Sequence, residues 1–175
     1  CKLLTGIIPQ FFQGDFEGTV LVNGLNILET RVADLARQVG YVYQDFENQL
    51  LKPRVLDDVE FAPLNYGMAD YRQRAEATLE RLGLTHLGSR IIWELSGGEQ
   101  HLIALAGALA LDPNIIVVDE TISQLDPVNA EAVYERLDNL HKHHGKTIIV
   151  IEHHPEFIAN HCDSVALLNE GAITW

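Results

Sequence analysis

Apolar residues fall along the chain in two alternating rhythms. Ile115 to Val118 is a continuous apolar run of the kind a buried parallel strand shows, and Thr147 to Ile151 is a second β-branched run. Between them, Pro127 to His144 spaces its apolar positions for a helix, and Ser96 to Leu111, rich in Ala and Leu, reads as another that ends at Asp112-Pro113. Gly40 to Tyr43 and Thr19 to Val22 read as further short strands, the latter running into an Asn23-Gly24 turn.

From Val55 to Leu84 the apolar positions recur at helical spacing, with a break near Asn65-Tyr66-Gly67, which predicts a helical stretch in two pieces. Ser164 to Leu168 and Ala172 to Trp175 flank Asn169-Glu170-Gly171 and predict a terminal hairpin. Strands alternating with helices imply an α/β fold with right-handed crossovers. Its mostly parallel sheet is covered on both faces, and ligands are expected at the carboxyl ends of the strands.

At 175 residues, 47% of them apolar, the chain suffices for one core and one domain. A formal charge of −13 argues against a surface that neutralises phosphates, so no nucleic-acid partner is expected. Cys1 and Cys162 lack metal-ligand spacing, and no run of about 20 apolar residues is present. A soluble, reducing, cytoplasmic environment is expected. A chain that opens at Cys1 leaves upstream targeting signals open.

Three segments carry candidate chemistry. Leu95-Ser96-Gly97-Gly98-Glu99 opens the Ala-rich helix, where two glycines let backbone N–H groups approach an anion at the positive end of the helix dipole. The same Ser-x-x-Glu spacing is also a capping box that needs no ligand. Asp119 and Glu120 follow the Ile115 to Val118 strand at the end where a magnesium site is expected. Asp119 would hold Mg²⁺ through its water shell and Glu120 would orient the water attacking a γ-phosphate; a pair of solvated strand-end carboxylates is the plainer alternative. Ser123-Gln124-Leu125-Asp126-Pro127 follows.

The order of these segments resembles the nucleotide-binding domain of the ATP-binding-cassette (ABC) transporters. Leu95 to Glu99 looks like the signature motif, Asp119 and Glu120 like the Walker B pair, and Ser123 to Asp126 like the D-loop. Gln44 resembles the Q-loop glutamine, and His153 the switch histidine. The resemblance implies a P-loop NTPase-like sheet with a helical subdomain over about 44–90, and ATP and Mg²⁺ as ligands. Gln44 would approach the metal and couple the site to a transmembrane partner, while His153 would contact the γ-phosphate and attacking water.

It implies as well that a second ABC ATPase domain pairs head to tail with this one. Ser96, Gly97, Gly98, Glu99, Ser123 and Asp126 would thereby act around nucleotide, the signature on the partner's ATP. Within the family, Gln44 to Gly67 looks most like the energy-coupling-factor importers of vitamins and metal ions. That places the protein at the cytoplasmic face of the membrane, peripherally bound.

Thr121, Leu102 and His154 depart from the family pattern, which usually has proline, arginine and aspartate there. Cys1 to Gly6 looks like the helix that follows a Gly-rich Lys-Ser/Thr loop, and the loop itself is not in the sequence. The domain reads as N-terminally incomplete, and Cys1 to Trp175 by itself is expected to bind ATP-Mg²⁺ weakly. The alternatives are an interaction module without turnover, favoured by the missing loop, and a non-transport ABC ATPase, disfavoured by the lack of long insertions or basic stretches. Two histidine groups, His141, His143, His144 and then His153, His154, His161, also suggest a metal site. The first group is equally explained as the cationic last turn of a helix before its Gly145 cap.

Overall fold

The computed structural model describes residues 1–12, 14–120 and 125–174. Thr121, Ser123 and Gln124, singled out above, lie outside the described residues.

Along the chain, α1 (Ile7–Gln10) is followed by β1 (Leu21–Val22), β2 (Leu25–Asn26), α2 (Val32–Leu35) and β3 (Val39–Val42). Then come α3 (Val55–Val59), α4 (Phe61–Asn65), α5 (Tyr71–Arg81), α6 (Gly97–Leu109), β4 (Ile115–Asp119), α7 (Pro127–His144) and β5 (Thr147–Ile151). A short α8 (Pro155–His161) precedes β6 (Leu167–Asn169) and β7 (Ala172–Thr174), which pair as the expected antiparallel hairpin.

The central sheet is parallel, in the order β3-β4-β5. Val42 lies opposite Val118 and Asp119 opposite Ile151, so the three strands end at nearly one level. Alternation along β4 sends Ile116 and Val118 into a core with Ile103 and Ala106 of α6 and Val133 and Leu137 of α7. Val117 points the other way, into a cluster with Tyr41 of β3, Val22, Ile27 and Leu35. Both faces are therefore covered, which is why β4 reads as unbroken apolar sequence.

Three expectations shift. The helical stretch over 55–84 is in three pieces. Pro63 has no N–H to bond the Val59 carbonyl, and the chain turns at Glu60, which ends α3 and starts α4. The β3 strand begins at Val39, one residue early, with Gly40 inside it. Cys1 to Gly6 forms turns rather than a helix: Leu4 N–H bonds the Cys1 carbonyl and Gly6 N–H that of Leu3, and Gly6 at φ 71 breaks the run.

Two contacts seat the loop after β3. Gln49, in a 3₁₀ turn over Phe46–Gln49, accepts from Tyr43 N–H at 2.7 Å and donates to the Tyr41 carbonyl at 2.9 Å. Phe46 stacks on His101 of α6, ring centroids 5.0 Å apart. His101 is buried, which lowers its pKa to about 4.

Packing at two glycines gives opposite expectations. A Cβ on Gly40 would stand 2.7 Å from the Ala108 carbonyl oxygen and 2.9 Å from the Pro113 ring, whereas one on Gly107 would meet nothing within 4 Å. Gly40→Ala is expected to destabilise by about 1–3 kcal/mol. Gly107→Ala, within α6, is expected to stabilise by about 0.5–1 kcal/mol. Urea unfolding monitored by circular dichroism checks both, and equal midpoints would contradict the packing.

His101 supplies a pH dependence. Its imidazole is neutral in the fold and protonates near pH 6.5 when unfolded, so the unfolded chain binds the extra proton between about pH 6.5 and 4. Stability is full above that window and falls by on the order of 3 kcal/mol as pH drops through it. Unfolding free energies measured across the window should lose this component in His101→Gln.

Candidate functional site

Strand register brings the candidate residues together. Gln44 stands two residues beyond Val42 and Glu120 two beyond Val118, and these valines are paired in adjacent strands. His153 stands two beyond Ile151, which pairs with Asp119. Residues 76 and 33 positions apart thus meet at one end of the sheet.

Glu120 is the meeting point. Gln44 Nε2 donates to Glu120 Oε2 at 2.9 Å, and His153 Nε2 lies 2.8 Å from Glu120 Oε1. The carboxylate is thereby gripped on both oxygens. Its backbone holds a left-handed φ of 54, and its N–H bonds the Ile151 carbonyl at 3.2 Å, which turns the chain sharply out of β4.

Asp119 is held from another side. Tyr41 OH donates to Asp119 Oδ2. Tyr41 lies opposite Val117, and Asp119 is two residues beyond Val117 on the same face of β4, so pleating alone puts the two side chains together. Burial, then the bond to Asp119, raises the Tyr41 pKa well above that of a free phenol, which keeps it a proton donor. The Tyr43 ring lies beside it, tilted by 40° with centroids 4.6 Å apart, and its pKa is likewise pushed up by burial. Sequence reasoning passed over Tyr41, whose only signal is its place in β3.

The Ser96 to Glu99 segment builds the capping box in full. Ser96 Oγ accepts from Glu99 N–H at 3.3 Å, while Glu99 Oε2 accepts from Ser96 N–H and from Ser96 Oγ–H, each at 2.8 Å. The bond from the Ser96 backbone, then that from its hydroxyl, lowers the Glu99 pKa below the ordinary glutamate value. Ser96 and Gly97 remain exposed, and the first i to i−4 bond of α6 begins at Gln100. The cap takes the Ser96 and Glu99 amides and leaves Gly97 as the exposed leading residue of α6.

Gly98 is buried against α7. A Cβ there would stand 2.6 Å from the Asn129 carboxamide. Asn129 is itself fixed by Asp126, whose carboxylate caps α7 by accepting from the Val128 and Asn129 amides at 3.1 and 3.2 Å and also takes the Asn129 side-chain N–H. Hydrogen bonds from Asn129, first its side chain, hold the Asp126 pKa down. Asp126 thus reaches the signature-like segment through Asn129, a link no motif announces.

The histidine groups behave as termini and ion pairs. His141 contacts the Lys146 carbonyl at 2.9 Å and Asp163 at 3.2 Å, and Gly145 caps α7 at φ 63. Among the described residues, no group of three or more His, Cys, Asp or Glu is placed to hold a metal. At Asp119 the donor is a hard carboxylate oxygen beside Glu120, which suits Mg²⁺ completing its shell with water and phosphate oxygens rather than a protein cage. No described helix is long and apolar enough to cross a membrane.

The family model described as ABC transporter matches residues 1–123. The cobalt import ATP-binding protein CbiO of Syntrophus aciditrophicus is 40% identical over 159 residues, covering 89% of this chain and 56% of that protein. The energy-coupling factor transporter ATP-binding protein EcfA2 of Clostridium perfringens is 33% identical over 162 residues, covering 89% of this chain and 57% of that one. The solved structure of cbiO1 from Clostridium perfringens, part of the ABC transporter complex cbiONQ, superposes with a TM-score of 0.88 at 29% identity, over 99% of this chain and 69% of that one. The chain spans 62% of the length of a Pyrococcus abyssi relative that it matches over 175 residues. By this match over 123 of its residues, and by the fold that accompanies it, the chain belongs to the ABC transporter family of ATP-binding proteins.

Proposed function

We propose that this chain is part of the ATPase subunit of an energy-coupling-factor type importer and that Glu120 governs its hydrolytic step. The observation that carries the reading is the grip of Gln44 and His153 on the two oxygens of Glu120, next to Asp119, at the carboxyl ends of three parallel strands.

Glu120 accepts a hydrogen bond from the attacking water and aims its lone pair at the γ-phosphate, and Gln44 and His153 set the direction of the carboxylate. His153 contacts the γ-phosphate side of the same water. Asp119, oriented by Tyr41, would hold Mg²⁺, and Gln44 would approach the same ion with its amide oxygen. Mg²⁺ supplies neutralisation of the charge that develops on the phosphate oxygens.

Ser96, Gly97, Gly98 and Glu99 present the start of α6 to a second ATPase domain, whose ATP they complete in a head-to-tail pair. Asp126, with Ser123 before it, lines that contact. The helical subdomain from about Gln44 to Arg90 docks the transmembrane subunit at the cytoplasmic face of the membrane. Exposed Leu51 and Leu64, and a hollow of about 530 Å³ lined by Tyr43, Asp45, Asn48, Gln49 and Leu51, support that role. The names of the relatives, cobalt import and energy-coupling factor, favour a metal ion or vitamin as cargo.

In the full-length protein, Glu120→Gln is expected to leave ATP binding within about twofold while slowing hydrolysis by about 10²-fold or more. Phosphate release and nucleotide titration measured on one preparation check this, and wild-type turnover in the variant would sink the assignment.

Ser96→Arg places a bulky cation where a partner's phosphate is to be met, while α6 loses a cap worth about 1 kcal/mol. ATP-dependent dimerisation, followed by light scattering in the Glu120→Gln background, is expected to disappear. Normal dimerisation would count against the role of the signature.

A further inference from the structure

The residue before His153 is a glutamate whose side chain is only 2% exposed. Buried carboxylates are costly unless their oxygens are fully used. Glu152 uses both. Its Oε1 accepts from His153 N–H at 2.8 Å and His154 N–H at 3.0 Å, and lies 2.6 Å from His154 Nδ1. Its Oε2 accepts from Tyr134 OH at 3.2 Å.

These bonds brace the extended backbone that runs from β5 into α8. Burial alone would raise the Glu152 pKa, but the hydrogen bonds from His154, the His153 and His154 amides and Tyr134 outweigh it and leave the group below its ordinary value. Tyr134 is fixed in turn. Its ring stacks on His161 at 4.7 Å and on Phe157 at 5.0 Å, and the His161 nitrogens face Asp138 at 3.3 Å and Glu131 at 3.4 Å. A continuous set of contacts therefore runs from α7 and α8 through Glu152 to the backbone of His153, whose ring meets Glu120 at 2.8 Å.

We propose that Glu152 is a positioning residue for ATP hydrolysis: its buried carboxylate, held by Tyr134, braces the backbone after β5 in the conformation that brings the His153 ring to Glu120. The proposal rests on the function assigned to Glu120 and His153 above. Without the carboxylate, the His153 and His154 amides lose their acceptor and the segment between β5 and α8 loses its brace. A displacement of about 1 Å at the ring is enough to cost up to 10²-fold in rate.

The test uses steady-state ATPase kinetics of the full-length protein. Glu152→Ala is expected to lower kcat by roughly 10- to 100-fold with KM for ATP within about twofold. Glu152→Gln keeps an acceptor for both amides and is expected to stay within about threefold of wild type. In a His153→Ala background, Glu152→Ala is expected to add less than about twofold, because both changes remove one interaction. Wild-type kcat in Glu152→Ala, or the same fold-loss with and without His153, overturns the proposal. Should Glu152→Ala not fold, Tyr134→Phe carries the test: a loss of about two- to fivefold that vanishes in the His153→Ala background supports the role, and an additive or absent loss refutes it.

A nitrogen-15 NMR measurement of the His153 ring separates this proposal from the site reading. The ring resonance is expected to move on Glu120→Gln in otherwise wild-type protein and to respond much less in the Glu152→Ala background. Equal responses in both backgrounds overturn the positioning role even if hydrolysis depends on Glu120. Unaltered turnover in Glu120→Gln overturns the site reading, whatever the ring resonance does.

Discussion

The parallel register of β3, β4 and β5 is the constraint on which the site depends. Pairing Val42 with Val118 and Asp119 with Ile151 places the first residues beyond each strand side by side, and those residues carry the polar groups. A slip of one residue would turn Asp119 away from Tyr41 and separate Gln44 from Glu120. What holds the register is burial on both faces: Ile116 and Val118 are locked under α6 and α7, and Val117 under the cluster around Leu35 and Ile27. Gly40 belongs to the same constraint, since the α6 backbone approaches β3 too closely there for any side chain.

Around this sheet end side-chain hydrogen bonds hold the loops together with apolar packing such as that of Phe46. Gln49 bridges two backbone groups of β3, Glu152 collects the amides after β5, and Asp126 caps α7 while fixing Asn129. Each device satisfies polar backbone that would otherwise lie bare where the strands stop. Glu120 itself holds a positive φ where β4 ends.

The capping box at Ser96 shows how structural and functional readings coexist. Ser96 and Glu99 satisfy the start of α6 by themselves, so the motif has a complete structural explanation. Buried Gly98 has a further one in Asn129. Gly97 has neither a close neighbour among the described residues nor a positive φ, and it lies exposed at the head of α6.

Sequence alone determined much of this protein. The apolar runs of β4 and β5, the Pro127 start and Gly145 end of α7 and the Ser-x-x-Glu start of α6 are local signals, fixed by burial, capping and φ preference, and each forms where its residues predict. The order of the motifs also made Gln44, Asp119, Glu120 and His153 legible as candidates. What only the tertiary structure decided is which side chains touch. Tyr41, Asn129, Tyr134 and Glu152 carry no motif, because their roles depend on strand register, on the pleat and on helices that meet across the fold. Such contacts join residues up to 78 positions apart, as Tyr41 and Asp119 are, and no local periodicity encodes them.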